Sequence, residues 1–257
     1  MTIARILIIA GSDSGGGAGI QADIRTVTTL GGHPMTAITA ITAQNTLGVQ
    51  GVHPVPAAMV VQQMESVIGD IGVDAVKIGM IGSAQTAEAV ADSLTQLKDI
   101  PIVFDPVMVA TSGSMLADVD TIAAFERLMA IATLVTPNLP ELEALGGKGG
   151  GEGIAAAFST HVLAKGGHAD GPMLTDRLIG PDGAVKAWSN ARIDTPHTHG
   201  TGCTLASAVA TGLGQGMDLV SAVERGRKYV REALALAPGL GGCHGPMGVP
   251  HGFHAHA

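Results

Sequence analysis

The chain has 257 residues, 46% of them hydrophobic and 14% charged, with 37 glycines but only four Phe, one Tyr and one Trp. Sparse charge beside that much apolar content excludes intrinsic disorder, and at roughly 100–200 residues per domain the length makes one large domain or two small ones. Fourteen Lys and Arg against 22 Asp and Glu leave a net charge of −8, with no basic stripe to track a nucleic-acid backbone. Cys203 and Cys243 are too few for a disulfide framework. No apolar run approaches the ~18 residues of a membrane span, and the start reads straight into a strand without a signal-peptide pattern. A soluble, cytoplasmic α/β protein that engages neither nucleic acid nor membrane is the expectation.

Residues 5–10 (RILIIA) form an apolar run of strand length that ends in a Gly-rich loop, 11–19. The helix after it carries Ile20, Ile24, Val27 and Leu30 on one face. A second strand is predicted over 35–42 and a second helix over Ala57–Asp70, followed by a strand at Ala75–Ile78 and a helix at 84–97. Short β-rich runs at 102–105 and 134–136 flank a helical 122–131, and 161–165 is a further strand. Such alternation predicts a mainly parallel sheet covered by helices on both faces. Residues 173–189 differ, because two short runs around Gly180-Pro181-Asp182-Gly183 read as a hairpin on an antiparallel margin. One closing helix is predicted to start after Gly202, and another to bury Leu219, Ala222, Val223, Tyr229, Val230, Ala233 and Leu234. The run 146–153 (GGKGGGEG) reads as a flexible surface loop. No linker or composition shift divides the chain before residue 238, so residues 1–257 read as one domain. Its tail from about 239 is rich in Gly and His and is expected to be poorly ordered at its end.

Three places suit chemistry. The first is the loop GSDSGGGAG at 11–19, whose glycines let backbone amides approach a ligand ahead of a helix N-terminus. Gly17, Gly19 and Ala22 fit the dinucleotide spacing G-x-G-x-x-A, but the second strand ends in Thr42-Ala43-Gln44-Asn45 without the acid that would hold a ribose. A purely structural turn is the competing reading; Ser12, Asp13 and Asp23 favour a substrate site. The second is His199-Gly200-Thr201-Gly202-Cys203-Thr204, where two glycines at a helix start leave amides converging as an anion hole. Cys203 falls in the first helical turn, where the positive end of the dipole favours thiolate; the alternative is a plain helix start with a structural cysteine. The third lies at the carboxyl ends of the middle strands, with Asp105, Asn138, Glu141 and Lys165. Asn138 and Glu141 also have the spacing of a capping box. Cys243, His244, His251, His254 and His256 lack the spacing of an ordinary zinc site.

These blocks, in order, resemble the hydroxymethylpyrimidine/phosphomethylpyrimidine kinases of thiamine biosynthesis, within the ribokinase-like superfamily. The resemblance rests on AGSDSGGGAGIQAD at 10–23, QNTLGV at 44–49, KIGMIGS at 77–83, DPVMVATSG at 105–113, TPNLPE at 136–141, KGGH at 165–168 and THGTGCTLASA at 198–208. It implies a three-layer α/β/α sandwich and an ATP- and Mg2+-dependent kinase, dimeric, that phosphorylates 4-amino-5-hydroxymethyl-2-methylpyrimidine to its phosphate and then its diphosphate. Carried over onto matching positions, Gly11, Asp23, Gln44, Met80 and Val107 line the pyrimidine pocket. Gly200, Thr201, Gly202 and Cys203 form the anion hole, with the cysteine as base. Asn138 and Glu141 match an N-x-x-E element that organises magnesium and phosphate, the glutamate acting indirectly on the metal, and Asp105 and Lys165 stand near the phosphates. The sequence departs from the family in the shortened, Gly-rich 146–153 and in the His-rich tail. Pyridoxal kinase is the nearest alternative and a non-catalytic ligand-binding module an alternative from another class; a dinucleotide-dependent oxidoreductase lacks its ribose acid.

Overall fold

The first strand sets the layering. In the computed structural model, which describes residues 3–110, 113–146, 149–168 and 171–250, β1 (Arg5–Asp13) sends Leu7 and Ile9 into one apolar core and Ile6 and Ile8 into another. Period-two alternation with both sets apolar is what a strand buried on both faces requires. The first core takes α2 (Ala57–Asp70), α3 (Ala84–Leu94), α4 (Val119–Met129), α5 (Leu139–Gly146) and α6 (Gly150–Phe158); the second takes α1 (Gly19–Thr29), α7 (Thr201–Gly214) and α8 (Leu219–Ala235). The result is the expected α/β/α sandwich.

The other strands are β2 (His33–Asn45), β3 (Gly48–Pro54), β4 (Ala75–Ile78), β5 (Ile102–Phe104), β6 (Leu134–Val135), β7 (His161–Ala164), β8 (Met173–Gly180) and β9 (Gly183–Ala191). They pair in the order β3-β2-β1-β4-β5-β6-β7-β8-β9. The run from β2 to β7 is parallel, and β8 and β9 form the expected antiparallel margin. The chain leaves β1 towards β2 on one side and towards β4 on the other, so the strand order reverses there. In open α/β sheets the crevice outside the carboxyl ends at such a switch point receives ligands.

Several expectations are corrected. The sheet has a second antiparallel margin, because β3 pairs with β2. The Gly-rich run is helical from Gly150; Gly147 and Lys148 lie outside the described residues. Helix α7 begins at Thr201, not after Gly202. The expectation for the end of the tail falls on residues outside the described ones; before it, the His199 N–H donates to the Gly245 carbonyl at 3.3 Å and the Gly242 N–H to Thr46 Oγ1 at 3.1 Å. His251, His254 and His256 lie outside the described residues, as do Thr111 and Ser112 of the 105–113 block. Among the described residues no helix is long and apolar enough to cross a membrane.

Candidate active site

Helices α3, α4 and α8 begin with side-chain caps from Ser83, Asp118 and Asp218, whereas α1, α2, α6 and α7 have none, and of these α1 and α7 pack together beside the switch point. An uncapped helix start leaves N–H donors and the positive end of the dipole available to an anion. At the start of α7, Gly200 has φ 85°, and a Cβ there would stand 2.0 Å from the Gly17 carbonyl oxygen. Only glycine permits that backbone and that approach. Two residues on, a Cβ at Gly202 would meet Asp105 Oδ2 and Lys165 Nζ, each at 3.2 Å. The amide loop therefore rests on a charged pair.

That pair joins the ends of β5 and β7. Lys165 Nζ donates to Asp105 Oδ1 at 2.8 Å, and Thr136 Oγ1 donates to the same oxygen at 2.9 Å. Burial alone would raise the Asp105 carboxyl, but Lys165, then Lys77, outweigh it and hold it low. Lys165 keeps its proton for the reciprocal reason: burial opposes the charge, and Asp105 and Glu141 more than restore it. Next along the sheet, the Asn138 N–H donates to Glu141 Oε2 at 2.8 Å and the Glu141 N–H to Asn138 Oδ1 at 2.9 Å. This is the reciprocal capping box read as one option in the sequence. It fixes the Glu141 carboxyl close enough to Lys165 and Asp105 to feel both charges. Burial, reinforced by Asp105, pushes it up to about 7.

The Gly-rich loop is tied to α7 by Asp13. Its carboxylate accepts the N–H groups of Gly15 at 2.8 Å, Gly17 at 3.0 Å and Ala18 at 2.8 Å, and meets His199 Nε2 at 2.9 Å. Burial would raise Asp13, but the His199 and Ala18 bonds hold it below the usual carboxylate range. With Asp13 as acceptor, His199 Nε2 carries the proton. The Gln44 side-chain amide lies 3.3 Å from that nitrogen through Nε2 and 3.1 Å from Thr42 Oγ1 through Oε1, and Thr42 Oγ1 also reaches the Ser12 carbonyl at 2.9 Å. The sequence marked Asp13 as favouring a substrate site and His199 only as the start of the anion-hole segment, and neither signal showed that the two pair.

Of the expected pyrimidine contacts, Gly11 and Met80 come together, with a Cβ at Gly11 3.1 Å from Met80 Sδ. Val107 follows β5, beside β4, and is half-buried, as are Met80 and Gln44. Asp23 is a correction. It is fully buried, and its oxygens accept Lys77 Nζ and Ser207 Oγ, each at 2.8 Å, so it lies beneath the crevice instead of lining it. Cys203 is a second correction. It does fall in the first turn of α7, yet burial, then Asp23 and Asp105, push its thiol up to about 11 against the pull of Lys77 and the Gly19 N–H. The helix dipole is outweighed, and the resting group is a thiol.

Residues 13–248 match the family model for phosphomethylpyrimidine kinase. The chain belongs to the phosphomethylpyrimidine kinase family. It is 45% identical over 259 residues to the hydroxymethylpyrimidine/phosphomethylpyrimidine kinase of Streptomyces coelicolor, covering 96% of this chain and 94% of that one. It is 46% identical over 253 residues to the thiamine biosynthesis bifunctional protein ThiED of Geobacter sulfurreducens, covering 94% of this chain and 51% of that one. The chain thus spans about a third to a half of the multifunctional relatives it matches, and nearly all of the Streptomyces kinase. Among solved structures, an ADP complex of Bacillus subtilis pyridoxal kinase superposes with a TM-score of 0.87 at 31% identity, covering 96% of this chain and 98% of that one. In this member of the family, the Gly-rich loop meets the start of α7 through the Gly17–Gly200 approach, and the ends of β5 and β7 meet it through the Lys165–Asp105 pair beside Gly202.

Proposed function

We infer that the chain transfers the γ-phosphoryl group of ATP to the hydroxymethyl oxygen of 4-amino-5-hydroxymethyl-2-methylpyrimidine, and then a second phosphoryl group to the resulting phosphate. The observation that carries this reading is the uncapped start of α7, seated on the Lys165–Asp105 pair and facing the switch-point crevice. Phosphoryl transfer asks for in-line positioning and for donors aimed at charge on the transferring oxygens. The amides of Gly200, Gly202 and Cys203 supply the donors, the Thr201 N–H being engaged by the Thr198 carbonyl at 3.3 Å, and Lys165 supplies a fixed positive charge. Gly11, Met80 and Val107 offer the walls for a flat heteroaromatic ring, and Gln44 its polar edge.

Among the described residues no cluster of three His, Cys, Asp or Glu can cage a metal. That suits magnesium, which takes one or two carboxylates and otherwise keeps water and substrate phosphates. Glu141, held by the Asn138 amide beside Lys165, fits such an indirect role; bound magnesium would supply charge neutralisation at the phosphates. In the first step Cys203 accepts the proton of the substrate hydroxyl as its thiolate form. In the second step the nucleophile is a phosphate oxygen that is already ionised, so the thiol is dispensable. The test is ATP-dependent turnover of the pyrimidine alcohol, with ADP release followed against a no-alcohol control. ADP release that ignores the alcohol would refute the reading. The likeness to pyridoxal kinase favours pyridoxal as a second, slower alcohol substrate of the same pocket.

A further inference from the structure

Strand β4 reads Ala-Val-Lys-Ile, and all four residues are buried. Lys77, with no exposed surface, is the one charged residue in it. Taking an ion pair out of water is costly, and apolar residues of equal volume commonly pack as well or better. The pair is also built to fixed geometry. Lys77 Nζ donates to Asp23 Oδ2 at 2.8 Å, and Ser207 Oγ donates to Asp23 Oδ1 at 2.8 Å. Asp23 stands four residues after Gly19 on α1, and Ser207 four after Cys203 on α7, so each lies one turn below its partner on the same helix face. The two helices therefore meet at two levels: the Gly19 amide with the Cys203 sulfur, and beneath them Asp23 with Ser207. Lys77 reaches this lower level from the sheet. Its ammonium passes where Gly79 has no side chain, 2.7 Å from the position a Cβ would take.

We propose that Lys77 is a positioning residue for phosphoryl transfer, whose ammonium, oriented by Asp23 and Ser207, holds positive charge beneath the α7 amide loop and so conditions both the Cys203 thiol and the anion that the loop receives. This rests on the kinase reading of the same crevice. The charged groups that act on the thiol come from four elements: Asp23 from α1, Lys77 from β4, Asp105 after β5 and Lys165 after β7, with Glu141 from α5 one step further out against Lys165 and Asp105. Of these, Lys77 is the cation that pulls the thiol down most, whereas Asp23 and Asp105 push it up. Burial opposes the charge on Lys77 itself, but Asp23, then Cys203 and Asp105, hold it above the ordinary lysine value.

The consequence is a pair of opposite signs. Lys77→Met should slow alkylation of Cys203 by iodoacetamide at pH 8–9 about tenfold or more, the equivalent of one pH unit, while Asp23→Asn should speed it. Peptide mass spectrometry separates Cys203 from Cys243, circular dichroism checks that each variant is folded, and Ser207→Ala serves as a variant that keeps both charges and loosens only their orientation. A structural role alone would move both charge variants in one direction. Equal-sign changes, or no change in Asp23→Asn, would overturn the proposal; if Lys77→Met does not fold, Asp23→Asn and Ser207→Ala still decide it, with faster alkylation expected in the first and a smaller change in the second. In turnover, Lys77→Met should lower kcat in both steps about tenfold or more and leave KM for the pyrimidine within about threefold. Alkylation of the expected signs without turnover in the wild-type protein would sink the kinase reading and with it the role in phosphoryl transfer, leaving only the influence of Lys77 on the thiol; normal turnover with unchanged alkylation would overturn the proposal and leave the kinase reading standing.

Discussion

On the proposed mechanism, replacing Cys203 by Ala should separate the two phosphorylations. In the first, a neutral hydroxyl must lose its proton, and the thiol available to take it stands at about 11, so about one molecule in 10⁴ carries thiolate at pH 7. The first-step rate should accordingly rise about tenfold per pH unit from 7 to 9, as thiolate accumulates. In the second step the attacking phosphate monoester, with a second pKa near ~6, is already charged over this range, and its rate should stay flat. A positioned base is worth about 10²–10⁴ in rate. Cys203→Ala should thus lower the first step by about 10² or more at pH 8 and abolish its rise with pH, while lowering the second by about threefold at most. The assay is rapid-quench chromatography of the monophosphate and diphosphate, started from the alcohol and from the monophosphate in separate runs. Equal losses in the two steps, or a pH-independent first step in the wild-type protein, would refute the reasoning.

Gly200→Ala should behave differently, because its Cβ would stand 2.0 Å from the Gly17 carbonyl oxygen and displace amides that both steps use. About 10²–10³ should be lost from kcat in each step, and selective loss of one would contradict the shared hole. Glu141 gives a stability test. Its folded-state value of about 7 lies above the ordinary 4.5, so its stabilisation is fully present below about pH 4.5 and is lost as the pH rises through 7. The loss is about 3 kcal/mol, and urea unfolding of Glu141→Gln should lack that part of the slope; identical slopes would count against the buried, proton-holding carboxyl. Away from the site, Phe125 packs edge-on against Phe104 with ring centroids 5.1 Å apart. Phe125→Ala should cost about 3–5 kcal/mol in the same assay, and a cost below about 1 would show that this core face is not close-packed.

Local pattern carried much of the fold. Ala57–Asp70 and Ala75–Ile78 have the bounds their periodicity predicts, since amphipathic and fully buried segments write their environment into composition. Strand β3 does not, because Gly-Val-Gln-Gly-Val-His-Pro has weak β propensity and exists as a strand through its pairing with β2. The Gly-rich start of α6 is helical for a tertiary reason as well: a Cβ at Gly151 would come 2.7 Å from Ile179 Cδ1, so the glycine admits the close approach of that strand. At the site, the short motifs marked the right loops but not their wiring. Asp13 and His199 are 186 residues apart, and no spacing rule links them. Asp23 reads as a ligand group because it follows a glycine loop, yet its helix face turns inward to Lys77. The dipole argument for a Cys203 thiolate omitted the two carboxylates and the burial that outweigh it. A signal for Lys77 was present, a lone lysine inside an apolar strand, and it was legible as a buried charge needing a partner.

The central claim is tested most directly by mass spectrometry of the products formed when purified protein is incubated with MgATP and 4-amino-5-hydroxymethyl-2-methylpyrimidine, with pyridoxal in a parallel reaction. The account predicts the pyrimidine carrying one and then two phosphoryl groups, in an order set by time, and slower conversion of pyridoxal. Phosphorylation of pyridoxal alone, or of neither alcohol by folded protein, would contradict it.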